Sequence, residues 1–192
     1  MKLNHLNDVH CSIHNHNCFS SLPCKGPIPD ALPGSTSIEV VVATYHQDEV
    51  LKTLINSVKA QMLTEHFDGS QEPGAAANYN DNWLPYPNWK LHIIHDGNDD
   101  FYHKMKDDLT RNGYLDERIT YTCSEKRCET HLGHANRHYG LMNLVSKDSD
   151  YVLVVNGDTY FVPTIFQWID SIRRLHNPDL IYWDIAHRDV QD

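Results

Sequence analysis

From Ile38 onward, short apolar runs rich in β-branched residues alternate with longer stretches whose apolar positions recur at helical spacing. Ile38-Glu39-Val40-Val41-Val42-Ala43-Thr44 is nearly continuous, the pattern of a strand covered on both faces. Beyond Asp48, residues Val50, Leu51, Leu54, Ile55 and Val58 recur at helical spacing, which predicts an amphipathic helix from Asp48 to about Met62. Trp89 to His95 reads as a second strand, and Phe101 to Asn112 as a helix closed by Gly113. Ile119 to Cys123 is a short third strand, followed by a helix from about Ala135 to Lys147. Tyr151 to Val155 is a fourth strand, in which Val152, Leu153, Val154 and Val155 read as core. Pro163 suits the first turn of a helix running from Thr164 to Leu175, and Leu180 to Asp184 is a fifth strand. Residues 63–88 between the first helix and the second strand are polar, a loop of a length that is often functional.

Strands and helices alternating at this spacing imply parallel strands joined by crossover helices. The expected fold is therefore α/β, a mostly parallel, Rossmann-like sheet sandwiched by helices. Residues 1–37 carry Pro23, Pro27, Pro29 and Pro33 with Gly26 and Gly34, and read as a tail or linker. Residues 38–192 form the expected domain. No internal repeat or low-complexity tract interrupts it.

Composition narrows the classes of partner. The 192 residues are 40% hydrophobic, a globular composition. A net charge of −10 excludes nucleic acid as the expected partner, because phosphate-backbone binding needs an excess of Lys and Arg. A nucleotide stays compatible with that charge, since a metal ion, loop amides or one arginine can hold its phosphates. No apolar run has the length of a membrane span, and the opening MKLNHLNDVHCSIHNH has no apolar core. Five cysteines, an odd number, fit reduced thiols. Together these give the expectation of a cytoplasmic chain. His10, Cys11, His14, His16, Cys18 and Cys24 are zinc-ligand types, but their spacing fits no standard zinc module, so they read equally as a polar tail.

In open parallel sheets, ligands bind beyond the carboxyl ends of the strands. Three such ends matter: Thr44-Tyr45-His46, Asp96-Gly97-Asn98-Asp99 and Asn156-Gly157-Asp158. Asp158 fits either a turn cap or a ligand for a hard divalent cation that shares its shell with water and phosphate. Asp96 fits a tight Asp-Gly turn or a polar contact to a ligand. Asp99 and Asp100 also suit the start of a helix. Tyr45 can stack on a planar ring or pack on the sheet edge. Arg137 can neutralise a phosphate or lie on a solvated helix face.

The order of these segments resembles the family-2 glycosyltransferases, enzymes of the GT-A nucleotide-sugar fold. IEVVVATYHQDEVLKTLINSVKAQ is similar to the family's first strand, its P/A-T-Y/F-N turn and the helix ending in S-x-x-x-Q, here Ser57 to Gln61. LHIIHDGNDD resembles the second strand with its D-G-S-x-D turn. GHANRHYGLMNLV resembles the G-x-x-x-A-R-N-x-G segment, and VLVVNGDTYFVP the D-x-D strand end and the proline after it.

The resemblance implies a nucleoside-diphosphate sugar donor, UDP- or GDP/TDP-linked, and a carbohydrate or other hydroxyl acceptor, with inversion at the sugar. It implies that Thr44, Tyr45 and Glu49 lie at the nucleobase and that Asp96 contacts the base. Arg137 would lie by the diphosphate, Asn156 at the ribose, and Asp158 would bind Mn2+ or Mg2+. Asn156 stands where the family has the first aspartate of D-x-D. It can still hydrogen-bond a hydroxyl but brings no charge to a metal, so metal affinity is expected to be reduced. The family continues well past D-x-D, so the acceptor side is expected to be truncated. Asp184 and Asp189 are the late carboxylates available as base. A donor-binding half of a larger transferase, or a non-catalytic nucleotide-sugar-binding module, is the alternative. A nucleotidyltransferase of related topology ranks lower, because Thr44-Tyr45-His46-Gln47-Asp48 lacks the glycines and basic residues such enzymes carry there.

Overall fold

A computed structural model of the chain describes residues 36–64, 83–127 and 133–183, and the backbone of His10–Cys11. The tail up to residue 35, most of the long loop (65–82), and Asp184 and Asp189 lie outside the described residues. The elements in chain order are β1 (His10–Cys11), β2 (Ile38–Thr44), α1 (Glu49–Lys59), β3 (Met62–Thr64), β4 (Trp83–Pro85), β5 (Trp89–His95), α2 (Asp100–Arg111), β6 (Ile119–Cys123), α3 (His134–Asn143), β7 (Tyr151–Asn156), α4 (Ile165–His176) and β8 (Tyr182–Trp183). Four strands form one sheet in the order β6-β5-β2-β7. Every pairing within it is parallel. The expected Rossmann-like α/β architecture is what the chain adopts.

The layering follows from the side-chain pattern. Ile38, Val40 and Val42 of β2, Leu91 and Ile93 of β5, and Leu153 of β7 share one core cluster with residues of α1 and α2. α1 contributes Leu51, Leu54, Ile55 and Val58, all buried, each worth about 1.5–3 kcal/mol relative to exposure. α2 adds Tyr102, Met105 and Leu109. On the opposite face, α3 packs so closely that a Cβ on Gly140 would lie 2.7 Å from Val41 Cγ1 and 3.0 Å from Ile94 Cδ1. α4 is held through Phe166 against Tyr86, and through Asp170. The Asp170 carboxylate accepts from the amide and hydroxyl of Thr36 and from Arg174 Nε. That network ties Thr36, two residues before β2, to α4, 134 positions later in the sequence.

Three expectations are corrected. The first helix stops at Lys59 rather than running to Met62, and Met62–Thr64 instead pairs antiparallel with Trp83–Pro85 inside the span expected to be loop. Buried Gln61 explains the stop. Its amide donates to Ser57 O at 2.9 Å and Val162 O at 2.8 Å, and its oxygen accepts from Phe166 N at 3.2 Å. The chain end of the helix is thereby tied to the segment after β7. The expected fifth strand shrinks to Tyr182–Trp183 and lies outside the main sheet, in parallel register with His10–Cys11. Val152 and Val154 are exposed rather than core, because β7 is an edge strand and α3 lies over β2 and β5.

Candidate functional site

Register places the three strand ends side by side. Thr44 pairs with His95 across β2 and β5, and Ala43 with Asn156 across β2 and β7. The turns that follow therefore meet along one rim. Two contacts sew them together. Asp96 N donates to Thr44 O at 2.9 Å, and Gly157 sits against the first turn. A Cβ on Gly157 would lie 2.0 Å from Gln47 Oε1 and 2.9 Å from Thr44 Oγ1. Only a bare α-carbon lets the turn carrying Asp158 approach this far.

Thr44 is buried, and its hydroxyl donates to Gln47 Oε1 at 2.8 Å. Tyr45 is partly exposed. The Arg127 guanidinium lies 4.1 Å from its ring centre, a cation–π contact, and the His46 ring stacks on it at 4.0 Å. Asp96 is 8% exposed, and its Oδ1 accepts from Asn136 Nδ2 at 3.1 Å. This bond joins the second turn to α3. Arg137, one residue on, donates to Asn156 Oδ1 at the end of β7. Asp158 is exposed in the turn after β7, which is closed by Thr159 N donating to Asn156 O at 3.2 Å. Among the described residues no side chain is hydrogen-bonded or ion-paired to the Asp158 carboxylate. Glu49 stands apart from this group. It pairs with Lys52 at 3.0 Å on the outer face of α1, and Lys52 also reaches Asp48 and Asp108. The rim thus gathers Thr44, Tyr45, Asp96, Arg137, Asn156 and Asp158.

The S-x-x-x-Q pair acts on the far side of the same turn. Ser57 Oγ accepts from Phe161 N at 3.1 Å, while Gln61 holds Val162 O and Phe166 N. α1 thereby fixes the path of the chain just after Asp158. Both side chains satisfy backbone groups that burial would otherwise leave unpaired.

A second cluster lies beside Tyr45. His46 adopts a left-handed backbone (φ 49°), an uncommon geometry for a residue with a side chain. Its Nε2 lies 2.8 Å from Asp99 Oδ2. Asp99 Oδ1 lies 3.3 Å from His95 Nε2 and accepts from Tyr102 N at 2.8 Å, capping α2. His95 is fully buried. Its Nε2 is within ion-pair range of Asp99, but neither ring nitrogen makes a well-formed hydrogen bond among the described residues. An unsatisfied buried polar group of this kind costs about 1–3 kcal/mol. Burial pushes the His95 pKa below the usual imidazole value, against the pull of Asp99. For Asp99, partial burial raises the pKa. The Tyr102 amide and the two imidazoles outweigh it and hold the carboxyl down to about 2.

Arg127 and this His/Asp cluster escaped sequence reading. Arg127 is one basic residue in the polar turn CSEKRC, and nothing local marks it. Asp99 reads there only as a helix-start charge, a role it does fill. The two histidines sit at a turn and at a strand end, and only sheet register makes them neighbours. The one usable signal was the His95–Asp99 spacing across the turn, together with His46 lying just past the adjacent strand.

No family model matches the chain, and no curated protein matches it. Among solved structures, the chain is similar to the crystal structure of S. aureus TarS and to that of S. aureus TarS 1–349 in complex with UDP. Each is 14% identical over 74% of this chain with a TM-score of 0.47. The chain spans 20% of the length of the first and 33% of the second.

Proposed function

We propose that the chain is the donor-binding domain of an inverting glycosyltransferase that takes a nucleoside-diphosphate sugar and delivers the sugar to an acceptor hydroxyl. The observation that carries this is at the end of β7, where Arg137 of α3 donates to Asn156 and the exposed Asp158 carboxylate, without a described partner, follows two residues on. The order of the motifs that supply them supports the same reading. Tyr45, whose ring already carries His46 and Arg127, offers a nucleobase its ring edge and hydroxyl, with buried Asp96 on the adjacent turn as a polar contact to a base edge.

Asp158 suits Mn2+ or Mg2+. Such ions are held by one or two carboxylates plus substrate phosphates and keep several waters, and an exposed oxygen ligand fits that habit. When bound, the metal supplies Lewis-acid stabilisation of the departing diphosphate. Arg137 neutralises charge building on the same leaving group. A carboxylate deprotonates the acceptor hydroxyl, which then attacks the anomeric carbon from the opposite face and inverts it. Asp184 and Asp189 are the candidates for that base. The odd number of cysteines fits a cytoplasmic setting.

Calorimetric titration with UDP, GDP and TDP, with and without Mn2+, tests the proposal. One diphosphate is expected to bind more tightly with Mn2+, and Asp158→Asn is expected to remove the metal-dependent part while leaving the fold intact. If none of the three binds more tightly with metal, the donor site is refuted. A second reading, a binding module without turnover, is favoured by one observation. Arg137 occupies the side-chain oxygen of Asn156, where an aspartate would face the metal. Metal-enhanced diphosphate binding with no hydrolysis or transfer of the sugar would select it.

A further inference from the structure

We propose that His46, His95 and Asp99 form a Zn2+-class metal site, separate from Asp158, that pins the turn after β2 to the start of α2. The three side chains each offer one ligand atom, and these atoms all lie within 4.8 Å of one another. A tetrahedral Zn2+ with bonds of 2.0–2.1 Å keeps its ligand atoms about 3.3 Å apart. Asp99 Oδ1 and His95 Nε2 are already 3.3 Å apart, while His46 Nε2 lies 2.8 Å from the other carboxylate oxygen, Oδ2, in a hydrogen bond that a bound ion would replace. Two imidazoles and one carboxylate are a set that borderline transition ions accept, while Mg2+ and Ca2+ prefer all-oxygen shells. Three protein ligands leave a fourth position for water or another small ligand.

An independent observation points to a ligand here. His95 is fully buried, yet both of its ring nitrogens lack a hydrogen-bond partner among the described residues. A metal ion would satisfy one of them. The surroundings also hold the rings in place. Phe101 stacks on His95 at 5.7 Å and lies 4.7 Å from His46, and Tyr45 stacks on His46 at 4.0 Å. The ligands come from three separate places: the turn after β2, the last residue of β5, and the cap of α2. An ion there would fix the turn that carries Thr44 and Tyr45. This inference stands whether or not the rim binds a nucleotide sugar.

The test uses the full 192-residue chain, stripped of metal and titrated with Co2+ by visible absorption and with Zn2+ by calorimetry in excess Mg2+. The cysteine- and histidine-bearing tail is a rival site, so a Cys11→Ser/Cys18→Ser/Cys24→Ser variant is run in parallel, with Asp158→Asn as a second control. His46→Asn tolerates the left-handed backbone, and Asp99→Asn keeps an oxygen for the helix cap, so both variants retain the fold, which circular dichroism checks. One equivalent of Co2+ is expected to bind with d–d bands and no thiolate charge-transfer band. Each of the two ligand variants is expected to weaken Zn2+ binding by more than the roughly 10-fold that loss of an outer-shell partner costs, while the tail variant and Asp158→Asn bind normally. Folded His46→Asn and Asp99→Asn proteins that bind as tightly as the parent would overturn the site. So would a Co2+ signal that disappears only in the tail variant, or the absence of saturable binding in the parent.

Discussion

Asp116 lies away from the rim and isolates what one carboxylate contributes. Its Oδ1 accepts from Arg118 N at 2.9 Å, its Oδ2 lies 3.1 Å from Arg118 Nη2, and Lys59 Nζ is 3.5 Å away. Partial burial raises its pKa, but these partners prevail and hold it below the usual carboxylate value. A depressed folded value means stability that is present above the unfolded pKa of about 3.9 and lost as pH falls through the folded value. Asp116→Asn keeps the oxygen that caps Arg118 N and removes only the charge. It is expected to lower stability by roughly 0.5–1 kcal/mol at neutral pH, the scale of a partly exposed ion pair. Urea midpoints of parent and variant should converge as pH drops below about 4; a gap that stays constant into acid contradicts the assignment. At this scale the sequence was informative wherever a polar residue interrupts an apolar run. Asp96, Asn156 and Asp158 stand out that way and do lie on the rim. Glu49 was placed beside them by its position in a motif alone, and the structure turns it toward Lys52. The His46–His95–Asp99 cluster was illegible because each member has an ordinary local role and their meeting depends on strand register.

Elements were legible when periodicity alone decided them and illegible when a long-range bond did. The four sheet strands and four helices are readable from alternation because most of their core positions are apolar, even though Glu39, His92, Asn136 and Asp170 are buried among them. The end of α1 is not, because it is set by Gln61 bonding to a segment about a hundred positions later. β3 and β4 are short and pair across a long intervening segment, so no local pattern announces them, whereas β8 was legible as a strand but not in its extent or its partner. α3 shows how tightly an element can be seated by one residue. Gly140 brings its backbone onto Val41 and Ile94, both buried and with little room to give. Gly140→Ala adds a better helix former, worth about 1 kcal/mol, but overpacks the interface by about 1–3 kcal/mol. Overpacking is expected to win by roughly 1 kcal/mol, a fall in Tm of about 2–4 °C for a chain of this size. Because α3 carries both Asn136 and Arg137, the same change is expected to weaken diphosphate binding at the proposed donor site. A thermal melt and a UDP titration on one sample separate the two effects. An unchanged or raised Tm would show that the sheet yields to the methyl group.

At the scale of the whole molecule, the two faces of the sheet are unequal. One is closed by α1 and α2 over a continuous core. The other carries α3 chiefly over β2 and β5, and leaves Val152 at 37% and Val154 at 45% exposure on β7. The apolar run that predicted a fully covered strand therefore has half its side chains in water among the described residues. Replacing both valines by threonine keeps the β-branched shape and strand preference while changing only polarity. At an exposed position such a change is worth within about 0.5 kcal/mol, whereas a hydroxyl forced into a dry interface costs about 1–3 kcal/mol. The Val152→Thr/Val154→Thr protein is thus expected to melt at the parent's temperature and to bind less of a hydrophobic dye, because the apolar patch has been removed. A loss of more than about 2 kcal/mol in a urea titration would require that something else in the chain lies on β7. The sheet would then be closed on both faces, as its sequence first suggested.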